Sequence, residues 1–225
     1  MLEDYLLFFS EIRDNFTSMG AIAPSSSLLA KAIVRPLTER PSRPISVLEV
    51  GPGTGSFTCR ILDQLRAGDT LDIYEVNPKF CGFLKEVLER AELSERAIHW
   101  ELHNADIRTL RNTAQFDYII FGLPFSNFDV QTVAEILEIL VGHLSPAGVL
   151  SYFEYVLLRE FKIRLSKNAD RDRLVRVAKA VRSFNQKYQY RCNHVWWNLP
   201  PAKARHCRKH AEPLEKSQSD SRLRQ

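Results

Sequence analysis

Residues 47–58 read Val47-Leu48-Glu49-Val50-Gly51-Pro52-Gly53-Thr54-Gly55-Ser56-Phe57-Thr58, and no other stretch says as much about the architecture. A hydrophobic strand runs into three glycines at alternate positions, and a helix opens behind them. Glycine admits left-handed backbone angles and close approach of a ligand to the main chain, while the first N–H groups of the helix have no partner within it. Such a turn suits a nucleotide-like cofactor. A dinucleotide fingerprint reads Gly-x-Gly-x-x-Gly; here the spacing is Gly-x-Gly-x-Gly, with Glu49 two residues before the first glycine.

On either side of this turn, strand-like and helix-like runs alternate. Ile45–Val50 is followed by Ser56–Leu65, Thr70–Glu75 by Pro78–Arg90, then Ala97–His103, Phe116–Phe121, Val130–Leu144 and Val149–Tyr155. That alternation predicts an α/β fold with a parallel sheet covered on both faces. Beyond Tyr155 the pattern changes to basic helices over Leu157–Leu165 and Asp172–Lys187. A hairpin at the sheet edge follows, Tyr190–Trp197 and Lys203–Arg208, with Trp196 and Trp197 divided between core and edge and one of them a candidate for an interface. Ahead of the domain, Leu2, Tyr5, Leu6, Phe9, Ile12 and Phe16 recur at helical spacing. A second helix, Leu28–Val34, ends before Pro36. The expected organisation is an N-terminal extension (1–44), a main domain (45–210) with a basic insert at 157–187, and a tail (211–225) too polar to build a core.

A second acid, Glu75, stands at the end of the next strand, where a carboxylate can accept from both ribose hydroxyls of a nucleoside, beside Val76 and Asn77. A third, Asp106, follows the third strand next to Ile107. Acids at strand ends often only cap helices; three in register with a glycine turn point to a cofactor. The turn resembles motif I of the class I S-adenosylmethionine-dependent methyltransferases. The resemblance implies a Rossmann-like domain with a seven-stranded, mostly parallel sheet, a C-terminal antiparallel hairpin and an N-terminal helical extension. It also implies S-adenosyl-L-methionine as cofactor, with Glu49, Gly51, Gly53, Thr54, Gly55, Glu75, Val76, Asn77, Asp106, Ile107 and Gly122 around it.

The chain has 225 residues, 44% hydrophobic and 26% charged, with four cysteines and no Cys-x-x-Cys pair. It is long enough for one large domain. The cysteines predict no disulfide framework, and no apolar run reaches bilayer length. The acidic opening Met-Leu-Glu-Asp is unlike a secretory signal, so a cytoplasmic location is expected. The net charge of +4 conceals an asymmetry: residues 1–158 hold 13 Lys/Arg against 21 Asp/Glu, and residues 159–225 hold 18 against 6. A basic third of that kind is drawn to nucleic acid or to an anionic lipid surface.

The fourth strand ends Ile119-Ile120-Phe121-Gly122-Leu123-Pro124-Phe125. Enzymes that methylate the adenine amine carry Asn-Pro-Pro-Tyr or Asn-Leu-Pro-Tyr here, the Asn accepting from the exocyclic amine. Gly122 stands in place of that Asn, which argues against the alternative reading, an RNA methyltransferase of the ribosomal adenine type, and no stable nucleic-acid partner is expected. Gly20-Ala21-Ile22-Ala23-Pro24-Ser25-Ser26, the glycine turn, Phe121–Phe125 and Asn198-Leu199-Pro200-Pro201-Ala202 occur in the order found in the bacterial phospholipid N-methyltransferases, and the chain is similar to that family over residues 5–208. The resemblance implies methylation of the amine of phosphatidylethanolamine or of an ornithine lipid. It implies that Ser25 and Ser26 close over the cofactor, although both serve equally as helix caps. It also implies peripheral docking on the inner face of the cell membrane.

Methyl transfer to an amine is an in-line displacement that needs alignment, dryness and loss of a proton from the ammonium. The turn Gly122-Leu123-Pro124 is expected to present the amine. Tyr152, Glu154 and Tyr155 are the candidate proton acceptors, with His143 a poorer one, and Phe121, Phe125, Tyr152 and Tyr155 a candidate aromatic box. Docking on an anionic membrane surface is expected through Arg159–Arg182, with Arg164, Arg171, Arg173, Arg176 and Lys179 on lipid phosphates, and through the helix Leu2–Phe16. Cys192, His194, His206, Cys207 and His210 match no zinc spacing, so no metal is expected.

Overall fold

The computed structural model of the chain describes residues 24–111, 113–156 and 168–209. The helix expected over Leu2–Phe16, the one over Leu157–Leu165 and the tail over 211–225 lie outside the described residues. Helix α1 (Pro24–Thr38) leads into β1 (Ser46–Val50), followed by α2 (Ser56–Leu62), β2 (Thr70–Tyr74), α3 (Pro78–Arg90) and β3 (His99–His103). After β4 (Phe116–Phe121) come α4 (Val130–Gly142) and β5 (Leu144–Tyr155). Then α5 (Asn168–Tyr188) delivers the chain to β6 (Gln189–Val195) and β7 (Ala202–Arg208).

The strands form one sheet in the order β3-β2-β1-β4-β5-β7-β6. The first five run parallel, and β7 lies antiparallel to both β5 and β6. This is the seven-stranded, mostly parallel sheet with a terminal hairpin that the family resemblance implies. Strand order reverses between β1 and β4, so a crevice opens outside their carboxyl ends. The hairpin turn belongs to that same rim, because Ala202 at the start of β7 pairs with both Tyr155 and Val195, the last residues of β5 and β6.

Side chains alternate across each strand, and both faces are covered. One apolar layer joins Val47, Ile73 and Ile120 of the sheet to Leu29, Ile33 and Leu37 of α1, Ile61 of α2 and Leu88 of α3. The opposite layer joins Leu48, Ile119, Phe121 and Leu150 to Val133, Ile136 and Leu140 of α4 and Val177 and Val181 of α5. Each such side chain, fully buried, contributes about 1.5–3 kcal/mol. Among the described residues, no helix is long and apolar enough to cross a membrane.

Several boundaries differ from expectation. α1 continues through Pro36 to Thr38 rather than ending at Val34. Proline removes one helical hydrogen bond, but Leu37 just beyond it is buried in the core, and Glu39 after the helix binds Arg191 of β6 at 2.9 Å. α4 stops at Gly142 and Leu144 already pairs with Phe116, so β5 begins five residues earlier than Val149. Trp196 and Trp197 are both exposed beyond the end of β6, and neither enters the core.

Candidate active site

Gly51, Gly53 and Gly55 all take positive φ, at 66°, 57° and 78°. A Cβ on Gly51 would fall 2.6 Å from Cδ2 of Leu123, so the turn leaves room for the backbone alone. Thr54 is exposed at the crest of the turn. Glu75 ties this turn to the next one: its Oε2 accepts from the Gly53 N–H at 3.1 Å and its Oε1 from the Asn77 N–H at 2.8 Å. Asn77 in turn caps α3 by accepting from the Lys79 N–H at 2.9 Å, and Val76 stands half-buried between them. Burial pushes the Glu75 carboxyl up, and the N–H groups of Asn77, Gly53 and Val76 hold part of that shift back. A carboxylate offers about four lone-pair sites, so acceptor capacity remains for a ligand.

Glu49 is the next-to-last residue of β1, wholly buried, and neither of its oxygens has a hydrogen-bond partner; the buried Thr58 hydroxyl of α2 has none either. Burial pushes the Glu49 carboxyl up to about 8, with Thr58 polarising it in the opposite direction and Glu75 adding to the rise. A buried acid of this kind is expensive unless a cation meets it.

Asp106 caps the short turn Ile107–Thr109 by accepting from the Arg108 N–H at 2.8 Å, and its carboxylate pairs with the Arg108 guanidinium at 2.7 Å. Burial raises the Asp106 carboxyl, but the Arg108 bonds outweigh that and lower it overall. Arg108 also reaches Glu135 of α4 at 3.6 Å. Ile107 is buried beneath them.

After β4 the chain turns at Gly122. Its N–H donates to the Val50 carbonyl at 2.8 Å, and a Cβ there would fall 2.5 Å from the Gly51 carbonyl oxygen. The two turns touch through backbone, so an Asn side chain has no place at this position. Leu123 lies over Gly51, and Phe125 stacks on Phe121 at 4.7 Å. Pro124 is buried between them.

The expected proton acceptors do not converge. Tyr152 is fully buried, meets Phe125 edge-on at 5.1 Å and donates its hydroxyl to Asn185 of α5; burial holds the phenol far above its usual range. Glu154 is paired with Arg205 of β7. Tyr155 falls on the opposite face of β5, edge-on to Phe153 at 5.1 Å, because strand residues alternate. It therefore leaves the aromatic group of Phe121, Phe125 and Tyr152. His143 closes α4 at the far end of β5, with Nδ1 2.8 Å from the Ile139 carbonyl.

One further expectation changes. Arg173 is not presented to lipid phosphate: it donates to the carbonyls of Ser126 at 3.2 Å and Phe128 at 2.7 Å and pairs with Asp170, clamping α5 to the turn after β4. Sequence reading missed both this clamp and Asn185, since each lies within a run that reads as a solvated helix. Arg171, Arg176, Lys179 and Arg182 are exposed, while Arg164 and the side chains of Ser25 and Ser26 lie outside the described residues. His206 bonds Ser151 at 2.8 Å and Cys207 is buried with its thiol pushed up to about 12. Among the described residues, Asp72, Glu101 and His103 bring their ligand atoms within 4.8 Å of one another, and none of Cys192, His194, His206 and Cys207 belongs to that group.

Glu49 discriminates between nucleotide-like cofactors. Its buried carboxyl group holds a proton while unpartnered and ionises readily only beside a cation, and S-adenosylmethionine carries an ammonium and a sulfonium where a dinucleotide carries phosphates. The glycine cradle and the spare acceptor sites of Glu75 fit the same molecule. Fold and crevice together define a class I S-adenosylmethionine-dependent methyltransferase. Residues 47–148 match the family described as Methyltransferase domain. The chain is related to ornithine lipid N-methyltransferases: it is 26% identical over 156 residues to the Ornithine lipid N-methyltransferase of Singulisphaera acidiphila, covering 67% of this chain and 77% of that one. Two solved structures share the fold. Magnesium protoporphyrin IX methyltransferase from Synechocystis PCC 6803, with S-adenosylmethionine bound, is 13% identical with a TM-score of 0.57, over 81% of this chain and 79% of that one. The N-methyltransferase NodS from Bradyrhizobium japonicum, with S-adenosylhomocysteine bound, is 15% identical with a TM-score of 0.54, over 81% and 84%.

Proposed function

We propose that this methyltransferase acts on the amine of a membrane-lipid head group, an ornithine lipid or phosphatidylethanolamine and its methylated forms, at the inner face of the cell membrane. The observation that carries the reading is the contact of Gly122 with Gly51: the acceptor wall is backbone flanked by Leu123, Pro124 and Phe125, and position 122 has no side chain to bond a nucleobase amine. The relative from Singulisphaera acidiphila, named for an ornithine lipid, supports the same substrate class.

S-adenosylmethionine supplies an electrophilic methyl carbon on a sulfonium. Glu49 takes its ammonium; Glu75 takes the ribose hydroxyls, with Gly51, Gly53, Thr54, Gly55, Val76 and Asn77 around them. Asp106 and Ile107 would flank the adenine. The apolar turn Leu123–Phe125 disfavours a charged ammonium and so promotes loss of its proton before transfer. Arg171, Arg176, Lys179 and Arg182 form a basic face suited to lipid phosphates.

Incubation with methyl-labelled cofactor and separate pools of bacterial lipid and RNA tests the reading. Label is expected in lipid that gains one or more methyl groups on its amine by mass spectrometry. Label in RNA and not in lipid would overturn it.

Glu49 gives the site a pH signature. Its folded value of about 8 exceeds the ordinary 4.5, so the native state holds an extra proton between the two, and unliganded stability declines as pH rises through that window. Pairing with an ammonium requires the carboxylate, so binding near pH 7 is expected to release about one proton, with affinity rising up to about pH 8. Calorimetry with S-adenosylhomocysteine in buffers of different ionisation enthalpy measures this. Glu49→Gln is expected to bind more weakly and release none; proton release equal to wild type would remove Glu49 from the site.

A further inference from the structure

The turn between β6 and β7 is apolar and exposed: Trp196 is 62% exposed, Trp197 88% and Leu199 83%. Its backbone is nonetheless tied down. Asn198 is buried and donates its amide to the Pro200 carbonyl at 2.6 Å, its N–H reaches the Val195 carbonyl at 3.3 Å, and the Pro201 carbonyl accepts from the Val156 N–H at 2.9 Å. Trp196 is braced against the His194 ring at 5.3 Å. Three large apolar side chains are thus held out on a turn that is braced by its own Asn198 and by the Val156 N–H, on the rim that also carries the Gly51 and Gly122 turns.

We propose that this turn is a membrane anchor that inserts Trp196, Trp197 and Leu199 into the head-group boundary of an anionic bilayer, setting the crevice against the lipid surface. The inference rests on the aminolipid reading for its purpose and adds to it the surface that docks. Indole has an apolar body and one N–H donor, which suits a boundary that is dry on one side and wet on the other. The charge around the rim agrees. α5 begins there, since Arg173 near its start bonds the carbonyls of Ser126 and Phe128. Residues 170–182 carry five cations against two acids, and Arg171 and Arg176 are exposed on the rim half of the helix. A bilayer accepts apolar tips without a matching pocket and rewards flanking cations when it is anionic.

The three tryptophans make the test direct. Trp100 lies on β3 at the opposite edge of the sheet from β6, so it reports little on this turn. Intrinsic fluorescence is measured with vesicles of equal parts acyl-brominated phosphatidylcholine and phosphatidylglycerol, neither of which carries a primary amine. Wild type is expected to be quenched, less so with phosphatidylcholine alone. Trp196→Ser with Trp197→Ser is expected to leave only unquenched Trp100 emission, with vesicle partitioning weakened on the order of a hundredfold. Both residues are exposed, so the fold is retained, and a short-chain aminolipid dissolved as monomers should still be methylated while the vesicle-borne form is not. Absence of quenching in wild type would overturn the anchor and leave the turn to a protein partner. Equal vesicle binding by the double variant would overturn it also. Docking without methylation of any aminolipid would sink the substrate reading and leave the anchor standing.

Discussion

Gly122→Ala is expected to lower cofactor affinity by about a hundredfold or more, the scale on which displacement of a site by about an ångström acts. The new Cβ would stand 2.5 Å from the Gly51 carbonyl oxygen and 3.3 Å from that of Val50, both backbone atoms of the turn that holds the ligand. Neither side can yield cheaply, because the Gly122 N–H is itself bonded to Val50. Overpacking of this kind also destabilises by about 1–3 kcal/mol, so thermal unfolding is followed alongside calorimetry with S-adenosylhomocysteine. Gly82→Ala is the control. That glycine sits inside α3 with nothing within 4 Å of its would-be Cβ, and alanine there is expected to stabilise by about 0.5–1 kcal/mol without touching binding. Unchanged affinity in Gly122→Ala would mean that the cofactor lies elsewhere.

Glu75→Ala is expected to reduce kcat/KM for the cofactor roughly a thousandfold, corresponding to two charge-assisted bonds of about 1.5–3 kcal/mol each. The loss has two sources. The ribose hydroxyls lose their acceptor, and the N–H groups of Gly53 and Asn77 lose theirs inside a buried junction. Glu75→Gln separates them: its amide oxygen still accepts one bond while its NH2 group opposes the other donor, so an intermediate loss is expected. Most of the change should appear in the KM for cofactor. Turnover equal to wild type in both variants would exclude Glu75 from the site.

The parts of this protein legible from sequence are those governed by short-range rules. α3 matches its expected bounds of Pro78–Arg90 because a cap, a proline in the first turn and a 3.6-residue apolar period all act within a few residues. β4 matches Phe116–Phe121 because a continuous apolar run suits a strand buried on both faces. The Gly-x-Gly-x-Gly turn and Glu75 were readable for the same reason: left-handed backbone angles and a carboxylate at a strand end are local requirements. Even the separation of Tyr155 from Tyr152 follows from alternation along one strand. α1 shows where a local rule fails, since Pro36 argues for a stop that burial of Leu37 overrides.

Tertiary structure alone decided which of these local features meet. β1 lies beside β4, so Gly122 comes against Gly51, and an absent asparagine becomes a position where no side chain fits. Arg173 reads as one cation in a basic run until α5 is laid along α4 and its guanidinium closes on the turn after β4. The Trp-Trp pair reads as divided between core and edge until β7 is inserted between β5 and β6, which turns the hairpin tip outward on the rim of the crevice. Periodicity and capping are set by neighbours in the chain, whereas strand order is set by the joint burial of both sheet faces, a property that no single segment carries.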